Sequence, residues 1–154
     1  MNILVTGVGS TLGYGILDTI KKSSIECKIC GTDYLKTAVG LYQTDYAHIL
    51  PDIYKHKELE SEWLDALVRI ISEREIKYVL IGLDFEVPLF AKHKEFIESY
   101  GIKFFFIPYD RKSINPIKEF LTLIKIINIY NLINPDIVHQ IAAKPIIYGS
   151  FAAK

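Results

Sequence analysis

The stretch "TGVGSTLGYG", residues 6–15, places Gly7, Gly9, Gly13 and Gly15 between an apolar run and an amphipathic one. Glycines at a strand-to-helix turn permit a tight reversal. They also let backbone approach a phosphate while the helix N-terminus presents N–H groups to the anion. Asp33 follows Gly13 by 20 residues, the place where a dinucleotide-binding protein keeps an acid for a ribose hydroxyl. The spacing is G-x-G-x-x-x-G, with Leu12 where the dinucleotide fingerprint requires glycine. No tyrosine has a lysine four residues on, so the acid/base pair of short-chain reductases is missing. Two readings stay open: a stand-alone module for a nucleotide or NAD(P), and a glycine turn that serves only strand–helix packing.

A second set of chemistry-bearing residues is "IGLDFE", residues 81–86, with Asp84 and Glu86 just past an apolar run. Ligands bind open α/β sheets at the carboxyl ends of their strands. Two carboxylates there suit an amine, an ordered loop or general-base work. The plainer expectation is that Asp84 caps the next helix with Glu86 in its first turn.

Other constellations fail. His48, His56, His93 and His139 are scattered, without H-x-x-H or H-E-x-x-H spacing, and read as solvated or locally bonded, so no metal site is expected. Cys27 and Cys30 form a lone C-x-x-C inside an expected strand, with no second pair for zinc. A redox pair belongs at a helix N-terminus, so these read as structural cysteines. The G-x-S-x-G elbow and the G-x-x-x-x-G-K-[ST] loop are absent, which removes serine hydrolases and P-loop enzymes.

The elements that must position these residues follow from periodicity. Residues 2–6, 28–33, 46–51, 77–82 and 102–108 read as short strands, buried where they are continuously apolar. Residues 12–22, 60–75 and 86–101 read as helices. Trp63, Leu64, Leu67, Ile70 and Ile71 share one face of the second. Pro88 is tolerated in the first turn of the third, and Gly101 stops it. Strands alternating with helices predict an α/β fold, a Rossmann-like, doubly wound, mostly parallel sheet. The domain is expected over 1–112, with a linker helix and a further segment over 113–154.

That helix, over 115–136, differs from the rest. Lys118, Thr122, Lys125, Asn128 and Asn131 form one narrow polar stripe. Phe120, Leu121, Leu123, Ile124, Ile127 and Ile129 fill the wide remainder. A helix apolar over most of its circumference is normally covered from more than one side. A further domain, a second polypeptide or a homo-oligomer is therefore expected over helix 116–133.

Composition bounds the rest. The 154 residues are 50% hydrophobic and 23% charged, with formal net charge zero. A folded, soluble chain is expected. No basic excess offers a general grip on nucleic acid or an anionic membrane. No apolar run approaches the ~20 residues of a membrane span. "MNILVTG" lacks the plan of a signal peptide, so a cytoplasmic location is expected.

Taken in order, "MNILVTGVGSTLGYGILDTIK", "CGTDYLKTAVGLYQTDYAHILP" and "VLIGLDFEVPLFAKHKEFIESYGIKFFF" resemble the N-terminal (pre-ATP-grasp) domain of ATP-grasp proteins related to the carbamoyl-phosphate synthase large subunit. "AKPIIYGSFAAK", residues 143–154, is similar to the family segment in which a lysine contacts nucleotide phosphate and a glycine loop closes over it. The resemblance implies Lys144 as the phosphate lysine, with Gly149 and Ser150 beginning the loop. Phe151 and Ala152 stand where the family has a further glycine, and Ile117–Lys118 stands where it has Asp-Lys. The resemblance implies a carboxylate–amine or carboxylate–thiol ligase using ATP and Mg²⁺. It further implies a chain cut at the nucleotide loop and inactive alone, because the family's metal-binding acids and Asn lie on later strands.

Overall fold

The computed structural model describes residues 1–104, 115–133 and 143–152, apart from the side chains of 133 and 143–146. The chain divides into two compact units, 1–104 and 105–154. The boundary expected at 112/113 lies outside the described residues.

The first unit is α/β. Strands β1 (Asn2–Thr6), β2 (Lys28–Asp33), β3 (Tyr46–Ile49) and β4 (Tyr78–Leu80) form one sheet in the order β3-β2-β1-β4, all parallel. The expected doubly wound sheet is therefore present. β1 is central because its residues are apolar on both faces. Ile3 and Val5 point to one side, and Leu4 points to the other. The first side is closed by α1 (Thr11–Lys22), whose Ile16, Leu17 and Ile20 recur at helical spacing, and by the 3-10 turn Val39–Gln43. The second is closed by α2 (Glu60–Glu73), α3 (Val87–Lys92) and α4 (Lys94–Glu98). Trp63 of α2 and Phe90 of α3 meet edge-to-face at 5.4 Å and are both fully buried. Ser10 caps α1 by accepting from the Gly13 N–H, and Lys21 and Lys22 occupy its last turn, where the helix dipole favours cations.

Three expectations change in detail. The helix expected over 86–101 is two short helices, broken at His93 (φ −99°, ψ 19°), whose ring is drawn to Glu60 on α2. Asp84 does not cap α3. The chain keeps turning through residues 83–86, and Glu86 takes the cap position without making a side-chain cap bond. Residues 102–104 of the expected last strand are not in a strand, and 105–108 lie outside the described residues.

The second unit contains α5 (Pro116–Ile133) and α6 (Ala143–Ala152), which pack on each other, with the Tyr148 hydroxyl donating to Glu119 at 2.5 Å. On α5, Ile117, Phe120, Leu121, Ile124 and Leu132 are exposed, whereas Ile126 is buried. Among the described residues no helix is long and apolar enough to cross a membrane.

Candidate functional site at the carboxyl edge of the sheet

β1 and β4 lie side by side, and their following turns lead to α1 on one face and α3 on the other. This is the switch point of a doubly wound sheet, where ligands enter. Four expected residues, Gly7, Gly9, Asp33 and Glu86, come together there with Gly13 and Asp84 close by.

The glycine turn is occupied with packing. Gly7 has φ +58°, a conformation that side-chain-bearing residues seldom adopt. A Cβ on Gly13 would overlap the Gly7 carbonyl, so the first turn of α1 lies directly on the end of β1. Gly9 faces Asp33, and a Cβ there would come within 2.9 Å of the carboxylate. The turn is tied to its neighbours by side chains. The Ser10 hydroxyl donates to the Gly82 carbonyl at 2.8 Å, and the Gly82 N–H donates to Thr6 Oγ1 at 3.0 Å. Gly15 is exposed on α1 and meets nothing.

Asp33 is only 3% exposed, and both of its oxygens are engaged. Oδ2 accepts from the Gly9 N–H at 2.8 Å, and Oδ1 accepts from the Leu35 N–H at 2.9 Å. The acid therefore ties the β1 turn to the β2 turn. The geometry supports the packing reading of the G-x-G-x-x-x-G stretch, because a ribose hydroxyl would compete for oxygens already in use.

Glu86 is the reverse case. It is 3% exposed and packs against Trp63, and among the described residues its Oε2 has no hydrogen-bond partner. Burial pushes its carboxyl up to about 7; the neighbouring Thr6 hydroxyl and Trp63 indole draw it partly back, and the Asp33 charge adds to the rise. Trp63 Nε1 stands near the Glu86 carboxyl without closing a hydrogen bond, and Thr32 Oγ1 is buried without a partner among the described residues. Thr32 pairs with Thr6 in the β1–β2 register, so both hydroxyls stand on the α2 face of the sheet. Asp84 is exposed on the same turn as Glu86.

Sequence reading missed the aromatic part of this edge. Phe85 contacts Tyr34 at 6.2 Å and Tyr54 at 5.2 Å between ring centroids. Tyr54 is exposed. The Tyr34 hydroxyl is raised above its ordinary value, first by burial, then by the carboxylates of Asp33 and Asp52. The edge thus combines aromatic faces with a negative field, an environment that attracts cations. The signal was present as the aromatics directly after each strand-end acid, Asp33-Tyr34 and Asp84-Phe85.

The family follows from the extent of this unit. A model of the PylC-like, N-terminal domain family matches residues 3–105, which is most of the chain and essentially the whole first unit. The chain belongs to this family. It therefore carries an ATP-grasp-related N-terminal domain. A glycosyl transferase 4-like model matches residues 82–154, less than half of the chain, and overlaps the PylC-like match over 82–105. No curated protein matches the chain.

The remaining expected residues lie in the second unit. Gly149 and Ser150, expected to begin a loop, lie inside α6, with Gly149 buried. Pro145 falls in the first turn, where a helix tolerates it. Phe151 and Ala152, in place of the family's glycine, let the helix continue. Lys144 is in the first turn of α6, and its side chain lies outside the described residues. Among the described residues no group of three His, Cys, Asp or Glu side chains is arranged to hold a metal ion.

Proposed function

We propose that this PylC-like domain is the N-terminal part of an ATP-dependent ligase that joins a carboxylate to an amine, and that its sheet edge binds the amine-bearing substrate. The observation that carries the reading is the edge itself, where the exposed Asp84 and the half-buried Asp52 stand with the aromatic rings of Tyr34, Tyr54 and Phe85. Carboxylates and aromatic faces together recognise a protonated amine. Within that reading, resemblance to the carbamoyl-phosphate synthase large subunit assigns phosphate contact to Lys144, in the first turn of α6, whereas Gly149 and Ser150, which the resemblance places in a loop, lie inside that helix. ATP and Mg²⁺ would supply the acyl-phosphate chemistry, with the metal neutralising charge during transfer. In this reading the described residues contribute substrate binding, and the resemblance implies that the chain alone lacks ligase turnover.

Chemical-shift titration tests the amine site. A short diamine should move the amide signals of Tyr34 and of residues 83–86 saturably, and a dicarboxylate of equal length should leave them in place. Equal response to both, or to neither, would remove the amine assignment.

The second reading, a nucleotide or NAD(P) module, rests on Gly7, Gly9, Gly13 and Asp33. The occupied oxygens of Asp33 weigh against it.

A further inference from the structure

Two carboxyl groups stand at the switch point in opposite environments. Asp33 accepts two backbone N–H bonds. Glu86 is packed against an indole, with one oxygen left without a partner among the described residues. Burial with an unpartnered oxygen, the surroundings of Glu86 alone of the two, favours the uncharged form of a carboxyl.

Glu86 also occupies a mechanical position. It ends the turn after β4 and starts α3: its N–H donates to the Leu83 carbonyl, and its own carbonyl accepts from Leu89 and Phe90. Its side chain reaches Thr6 on β1 and Trp63 on α2. The same turn is fastened at its other end by Ser10 and Thr6 through Gly82. One carboxyl thus joins β1, α2 and the start of α3.

We propose that Glu86 is a proton-dependent latch on the turn between β4 and α3. Uncharged, it stays seated between Thr6 and Trp63 and holds residues 82–86 against the sheet edge. Ionised, it carries a charge into a site whose nearest facing charge, Asp33 at the end of β2, is also negative. Thr6 on β1 and Trp63 on α2 are neutral, and on its own turn the one other acid is the exposed Asp84. The Thr6 hydroxyl and the Trp63 indole favour the charged form where it stands, but desolvation and repulsion outweigh them and favour release of the side chain to water. The turn that carries Asp84 and Phe85 opens with it, so the latch sets the shape of the candidate site. Burial raises the Glu86 carboxyl to about 7, which places the transition in the neutral range.

Trp63 is the sole tryptophan of the chain and reports on the latch directly. The experiment follows Trp63 emission and amide hydrogen exchange of residues 82–90 from about pH 5 to about pH 8.5, in the unaltered chain and in Glu86→Gln. The latch predicts one sigmoidal change in emission with a midpoint near neutrality. Exchange of residues 82–90 should accelerate at least several-fold beyond the intrinsic pH effect over the same range. Glu86→Gln, which cannot ionise, should lose both changes. The unaltered chain alone can overturn the proposal, so the test survives a variant that fails to fold. Flat emission with exchange that follows only the intrinsic pH effect would do so, and so would the same transition persisting in Glu86→Gln, which would place the titration on a histidine.

Discussion

At the scale of single residues, what looked like a ligand-binding signature divides into packing and chemistry. Asp33 accepts from two part-buried N–H groups. Asp33→Ala should destabilise the fold by about 1–3 kcal/mol, the loss of hydrogen bonds to a charged group; urea unfolding measures it. The Glu86 carboxyl titrates near 7 in the folded protein and near 4.5 when unfolded. A raised carboxyl means that the folded state holds its proton more tightly. Its stabilisation is complete below pH 4.5 and is lost as pH rises to about 7. Each pH unit between those two values is worth ~1.4 kcal/mol, so the loss is about 3 kcal/mol. Urea midpoints measured at pH 5 and pH 7.5 should fall accordingly, and Glu86→Gln should flatten the slope. The pair was legible as acids at strand ends. Which one has both oxygens tied and which keeps one unpartnered was not, because that depends on Gly9, Leu35, Thr6 and Trp63 meeting in space.

At the scale of elements, β1, α1, β2 and α2 were legible because their patterns are unambiguous: continuous apolar runs for strands buried on both faces, and a 3.6-residue period for the helices. The helix over 86–101 misled because its apolar residues keep helical spacing across His93, the residue at the break, whose ring meets Glu60 more than thirty residues away in sequence. The first turn of α1 lies on the end of β1 through Gly13, and backbone cannot yield there. Gly13→Ala should cost roughly 1–3 kcal/mol, the usual penalty of overpacking, and should lower the melting temperature. Gly15→Ala, with open space around it, should be neutral or slightly stabilising because alanine is the better helix former. A melting comparison of the two variants separates a packing glycine from an incidental one. The loop expected at Gly149 was read from likeness to a glycine-rich segment, whereas Gly149 and Ser150 lie inside α6.

At the scale of the whole molecule, the first unit contains its own two apolar clusters, one on each face of the sheet, and every buried residue of both lies between Ile3 and Ile102. Recognition is proposed at the carboxyl edge of this unit, and the glycine turn is given a structural role. The most direct test is a titration of the full chain with NADH, followed by amide chemical shifts of residues 6–15 and of Asp33. These signals should stay in place up to millimolar NADH, since the Asp33 oxygens are engaged by Gly9 and Leu35. Saturable shifts of Gly9 and Asp33 at micromolar NADH would contradict that division of roles and make the chain a dinucleotide-binding module.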